Sequence, residues 1–133
     1  MAPRTAPGRP RRRGGFTLIE LIVVLTIIGT LLAIAVPRYF NSLEKARETI
    51  LRQDLSVMRD ALDKYSADKG HFPETLDGLV VDKYIRSIPV DPYTKKADTW
   101  TVVQSDDPDT PGIKDVHSGA EGVGEDKEPY AVW

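Results

Sequence analysis

The chain contains no cysteine. Disulfides, thiol nucleophiles and cysteine-based metal sites are therefore excluded, and an exported domain would have to hold together by packing and hydrogen bonding alone. Histidine is almost missing too, with only His71 and His117. His71 precedes Phe72-Pro73 at an expected helix end, where it can cap the last carbonyls, and His117 follows Val116 in an expected strand. Neither has a nucleophile or a metal-ligand spacing around it, so an enzyme is not expected. Acids are absent from the first 15 residues, which hold five arginines, Arg4, Arg9, Arg11, Arg12 and Arg13. Bases are scarce at the other end: between Asp98 and Trp133 nine acids face only Lys114 and Lys127, a net charge of −7. The whole chain has 18 basic and 20 acidic residues, and without the five arginines the count is 13 against 20, also −7. No basic patch remains beyond the N-terminal segment, which argues against nucleic-acid binding.

What is present is one long apolar run, Phe16 to Val36, interrupted by a single charge at Glu20. Its 21 residues cover roughly 30 Å as a helix, about one hydrocarbon thickness. The arginines upstream place the N-terminus in the cytoplasm and the remainder outside. Glu20 is the anomaly, since a carboxylate within a spanning helix costs on the order of 2.5–3.5 kcal/mol on insertion scales. If the chain were cut between Gly15 and Phe16, the new α-ammonium would lie about one helical turn from that carboxylate. An ion pair, within the chain or with a neighbouring subunit, would neutralise both at a helix start whose dipole also favours an anion. A competing reading makes Leu21 to Leu32 the core of an ordinary secretory signal, with Ala33-Ile34-Ala35 as the cleavage site before Val36, releasing a soluble periplasmic binding module. An acid at the start of such a core is unfavourable, and the helical pattern runs on past the cut.

The stretch Gly15-Phe16-Thr17-Leu18-Ile19-Glu20-Leu21 resembles the N-terminal signal of type IV pilins and of type II secretion pseudopilins. The resemblance implies that a prepilin peptidase cuts between Gly15 and Phe16 and methylates the Phe16 amine, and that Glu20 aligns subunits in a filament. It implies an inner-membrane, single-pass protein drawn into a periplasmic pseudopilus, a polymer with itself and minor pseudopilins, working with an inner-membrane secretion platform to drive protein export. A surface type IV pilin for adhesion, motility or DNA uptake shares the same N-terminal half. Lack of cysteine favours the pseudopilin, because many type IV pilins close a C-terminal loop with a disulfide.

Beyond the run, Phe40, Leu43, Ala46, Ile50, Leu51, Leu55, Met58, Ala61, Leu62 and Tyr65 recur at three- and four-residue steps, an amphipathic helix that ends near Gly70 and before Pro73. Joined to the apolar run it makes a rod of about 54 residues, roughly 80 Å. Pro37 removes a backbone donor and should kink or locally melt the helix, and Gly29 is a second weak point. In filaments of the resembled family the corresponding segment can unwind, so Gly29 to Pro37 is expected to be a plastic joint.

Leu76, Leu79 and Val80 suggest a short helix, followed by a connector through Tyr84, Ile85, Ile88 and Val90. Thr99 to Gln104, Ile113 to His117 and Tyr130 to Trp133 have strand composition, with turn-rich segments between them. The expected architecture is α+β: a long N-terminal helix packed on a small C-terminal antiparallel sheet, a pilin-like lollipop. The expected division is a leader at 1–15, a membrane and filament-core helix at 16–36, and a periplasmic domain at 37–133 made of an amphipathic helix 38–69, a connector 70–98, and sheet and acidic loops 99–133. Tyr84 to Pro92 resembles the connector of the major pseudopilin. Asp115 to Gly122 resembles that family's segment opening a calcium-binding loop, which would make Ser118, Glu121, Glu125 and Asp126 the residues for a structural calcium. Calcium takes six to eight oxygens, which these acids and free carbonyls can supply, although the spacing matches no EF-hand and the acids equally suit a solvated face.

Overall fold

The computed structural model describes residues 1–11 and 13–133. The fold is α+β, in the element order α1 (Leu18–Lys69), α2 (Asp77–Val81), β1 (Thr101–Gln104), β2 (Ile113–His117) and a closing 3₁₀ turn (Tyr130–Val132). By compactness the chain forms two units, Met1–Phe40 and Asn41–Trp133.

In the first unit, residues 1–11 and 13–17 have no regular secondary structure, and α1 begins at Leu18. Its apolar side chains are exposed along the whole stretch from Phe16 to Val36. Two of the three threonine hydroxyls in that stretch donate locally: Thr26 to the Ile22 carbonyl at 2.7 Å and Thr30 to the Thr26 carbonyl at 2.8 Å. Such back-bonding lets a threonine sit in an apolar surrounding without an orphaned donor. This is the one helix among the described residues long and apolar enough to cross a membrane. Helical structure passes unbroken through Gly29 and Pro37, so the local melting expected at Pro37 is absent from the single chain. Proline removes one donor, and the bonds on either side suffice to carry the helix past it. Ala33-Ile34-Ala35 likewise lies inside the helix.

In the second unit the core is built on one face of α1. Leu51, Leu55, Met58, Leu62 and Tyr65 recur at steps of four, three, four and three and are buried against Leu79, Trp100, Ile113, Val116, Ala120, Tyr130 and Trp133. The helix ends because Gly70 turns to φ +75° and donates its N–H to the Ser66 carbonyl at 2.9 Å, a left-handed termination that glycine accepts without strain. The chain returns through Phe72 and Pro73, which exchange backbone hydrogen bonds with Pro111 and Ile113. Gly112 sits at that crossing with φ +116°, where a Cβ would run into the Phe72 carbonyl.

β1 and β2 pair antiparallel, Thr101 opposite His117 and Val103 opposite Asp115, and then slip so that Gln104 meets Ile113. Lys114 is the extra residue. In a regular strand Ile113 and Val116 would point to opposite faces, but the bulge lets both turn into the core. The third strand expected at Tyr130 to Trp133 is instead the 3₁₀ turn. Its cause is the need to bury both aromatics: residues three apart share a face at three residues per turn, whereas a strand would send them to opposite sides. Tyr130 and Trp133 are accordingly both buried. Pro129, which has no N–H to give a ladder, precedes them.

Candidate assembly site

The N-terminal signal residues lie where α1 starts. Phe16 is 93% exposed and Gly15 is exposed. A Cβ built at Gly15 would meet no atom within 4 Å, so nothing within the described chain requires glycine there. The same is true of Gly29.

Thr17 and Glu20 form a reciprocal cap. The Thr17 N–H donates to Glu20 Oε2 at 3.1 Å, and the Glu20 N–H donates to Thr17 Oγ1 at 3.2 Å. With α1 starting at Leu18, Thr17 is the N-cap and Glu20 the third helical residue, the positions of a capping box. This capping role comes in addition to the charge of Glu20, and the Thr-x-x-Glu spacing is its signature in the sequence. The arrangement offsets part of the cost of a carboxylate in an apolar run. It binds two N–H groups the helix start would leave bare and places a negative charge at the positive end of the dipole. It also folds the carboxylate back onto the amide that joins Phe16 to Thr17.

The tail residues behave differently. Ser118 is buried and donates its hydroxyl to Asp91 Oδ2 at 2.6 Å while accepting the Ala120 N–H at 3.1 Å. Asp91 is fully buried, and its other oxygen accepts the Tyr93 and Thr94 N–H groups at 2.8 and 3.3 Å. In sequence Asp91 has only the look of a turn residue, an aspartate before a proline. Asp126 pairs with Arg52 at 2.8 Å, Glu125 lies 3.6 Å from Lys45, and Glu121 is exposed. Ser118, Glu121, Glu125 and Asp126 are thus not gathered around one point, and among the described residues no three His, Asp or Glu side chains could hold a metal together. The serine is engaged with Asp91, and two of the three carboxylates face cations of α1.

Those cations belong to a set of α1 side chains that fasten the tail. Glu44 Oε1 accepts hydrogen bonds from Tyr93 and Tyr130, whose rings stack at 4.4 Å, and Glu48 Oε1 accepts the Glu125 N–H at 2.9 Å. Burial, reinforced by hydrogen bonding to the neighbouring tyrosine and to Glu44, holds the Tyr93 hydroxyl far above the usual phenol range. Arg52 lies 3.8 Å from the centre of the Trp133 ring. Arg59 donates to Asp115 Oδ1, the Val116 carbonyl and the Trp133 carbonyl at 2.8, 2.9 and 2.6 Å.

A capped, exposed apolar helix behind an arginine-rich segment, joined in sequence to a small α+β domain, defines the prepilin class of filament subunits. Residues 10–36 match the prokaryotic N-terminal methylation motif. The type II secretion system core protein G of Klebsiella pneumoniae is 31% identical over 134 residues, 92% of this chain and 96% of that protein. Its counterpart in Vibrio cholerae is 33% identical over 137 residues, 87% and 90% of the two chains, and that of Pseudomonas aeruginosa 33% over 99 residues, 62% and 70%. No solved structure gives a significant match. The chain belongs to the type II secretion system core protein G family, the pseudopilins, and is anchored by a membrane helix.

Proposed function

We infer that this pseudopilin is stored in the inner membrane with its N-terminus in the cytoplasm and residues 37–133 in the periplasm. Prepilin peptidase cleaves it between Gly15 and Phe16 and methylates the new amine. The product polymerises with copies of itself and with minor pseudopilins, on the inner-membrane secretion platform, into a periplasmic pseudopilus that drives protein export. Its role is mechanical, not catalytic. Gly29 to Pro37 yields locally as subunits pack.

The observation that carries this reading is the Glu20 cap. In an apolar segment with every large side chain exposed, the one carboxylate is folded back toward Phe16, where cleavage would create an ammonium. A glycine at position 15 that nothing in the chain requires fits a demand made by the peptidase.

Glu20→Gln separates the two roles of the residue, because a glutamine can still cap while carrying no charge. The mass of the membrane-extracted variant should show a chain starting at Phe16 with one added methyl, as in the unsubstituted protein. Filament yield should fall roughly tenfold or more, equivalent to about 1.4 kcal/mol per subunit contact. Thr17→Ala, which breaks the cap and keeps the charge, should reduce filament yield far less. Normal secretion with Glu20→Gln would reject the registration role.

A further inference from the structure

The apolar run ends on three consecutive large side chains that the rest of the chain leaves bare. Arg38, Tyr39 and Phe40 follow Val36-Pro37 within α1 and are all exposed, the tyrosine to 65% and the phenylalanine to 60%. Their two rings meet edge to face with centres 5.8 Å apart. Every aromatic residue after Phe40 is buried or half-buried, so bare rings occur only at the two ends of the apolar run, Phe16 at one and Tyr39-Phe40 at the other. Arg38 is the one basic residue between Phe16 and Glu44, and no acid lies at the three- or four-residue steps where its own helix could pair it.

Spacing and shape say what surrounds these three. From Leu18, where α1 begins, to Arg38 the helix rises roughly 30 Å, one hydrocarbon thickness, so with its start at one face of the membrane Arg38 stands at the other. Consecutive helical positions point about 100° apart, and the three side chains therefore fan over about 200° of the circumference. A neighbouring helix is met by side chains three or four positions apart on one side. Three in succession form a collar, which suits a surrounding that is the same all round. The headgroup layer of a bilayer is such a surrounding. Its phosphates accept paired hydrogen bonds from a guanidinium, and its boundary with the acyl chains takes aromatic rings. The collar also resists movement both ways: sinking would drag Arg38 into hydrocarbon, and rising would carry two rings into water.

We propose that Arg38, Tyr39 and Phe40 bind the phospholipid headgroups of the periplasmic leaflet and so fix the depth at which α1 is held, Arg38 against lipid phosphate and the two rings at the acyl boundary. The collar rests on the membrane orientation inferred above and adds to it a lipid contact and a fixed position along the helix. Its weight grows once residues 1–15 are removed, because the five arginines leave with them.

The absence of cysteine lets single cysteines report depth. In spheroplasts carrying the full-length chain, a membrane-impermeant maleimide should label Ser42→Cys and leave Ala33→Cys unlabelled. Arg38→Leu, which lets the helix sink, should slow labelling of Ser42→Cys several-fold, and Arg38→Lys should restore it. Tyr39→Ala combined with Phe40→Ala, which lets the helix rise, should speed labelling of Val36→Cys several-fold. Benzoylphenylalanine in place of Tyr39 should give, on irradiation, an adduct heavier by one phospholipid. Labelling that none of these variants changes, a shift in the same direction with both, or an adduct to a second copy or another protein instead of lipid would each overturn the collar and leave the membrane orientation standing. Ala33→Cys labelled as fast as Ser42→Cys, or Ser42→Cys reached only after the cells are opened, would overturn both.

Discussion

The two units satisfy their polar groups over very different ranges, and the contrast shows where each finds its partners. In the first, every side-chain hydrogen bond among the described residues is local: Thr17 with Glu20, Thr26 with Ile22, Thr30 with Thr26. The apolar surface there is left for something else to cover. In the second, Glu44, Glu48, Arg52 and Arg59 reach across more than 45 positions of sequence to Tyr93, Asp115, Glu125, Asp126, Tyr130 and Trp133. That unit covers its own core and ties it shut. A helix whose polar needs are met within one turn can pass from lipid to a filament without rearranging its own bonds, since neither surrounding must supply a hydrogen bond. A domain tied over long range keeps its shape while the helix changes surroundings.

The contrast breaks most sharply at Leu62, which is fully buried in the core. Leu62→Ala should cost about 2–5 kcal/mol, a large share of what one small domain has. Thermal unfolding of the detergent-solubilised protein should show the second unit's transition falling while helical signal from the apolar segment persists. A single transition that takes both signals down together would mean that the two units are not independent.

Much of this was legible in the sequence, and what was not has physical causes. The end of α1 was readable because Gly70 and Pro73 permit nothing else, and β2 because Ile113 to His117 is bounded by turn residues. The Tyr130 to Trp133 segment was misread, since aromatic composition favours a strand and only the demand that both rings face the core reveals the 3₁₀ turn. Asp91 and Ser118 were invisible as a pair: they lie 27 positions apart, and no local pattern reports a hydrogen bond across that distance. The charge of Glu20 drew attention from its shape, so the cap it makes with Thr17 went unread. The tail acids suggest a calcium loop in sequence; that Lys45 and Arg52 of α1 face Glu125 and Asp126 could be seen only once the fold brings them near.

A smaller effect is expected at the joint between the end of α1 and the residue after α2. Lys69 donates to Asp82 at 2.8 Å. That hydrogen bond is the main reason the Asp82 carboxyl lies below its ordinary 3.8 and the Lys69 ammonium above its ordinary 10.5. An acid with a lowered value adds stability above its unfolded value and loses it as pH falls through the folded one. A base with a raised value adds stability below its unfolded value and loses it as pH rises through the folded one. The pair therefore contributes in full between about pH 4 and 10.5. Asp82→Asn should lower the unfolding temperature slightly at pH 7 and by less in acid well below pH 4, where the unsubstituted protein is losing the same interaction. An equal deficit at both would assign the loss to packing instead of charge.

The smallest expected effect is none at all, and it bears on the most distinctive part of the second unit. Were the tail organised by calcium, chelation would expose the mutual repulsion of Glu121, Glu125 and Asp126, and the fastening of the tail to α1 would weaken. Here Arg52 and Lys45 already face two of those carboxylates, the Glu125 amide is held by Glu48, and Ser118 is spent on Asp91. A side-chain cation cannot be chelated. The unfolding temperature of the full-length protein should therefore be the same in excess EDTA and in millimolar calcium, and calorimetric titration with calcium should give no saturable heat. A rise with calcium would mean that the metal displaces Arg52 from Asp126. In that case Arg52→Ala, which removes the competitor, should bind calcium more tightly still.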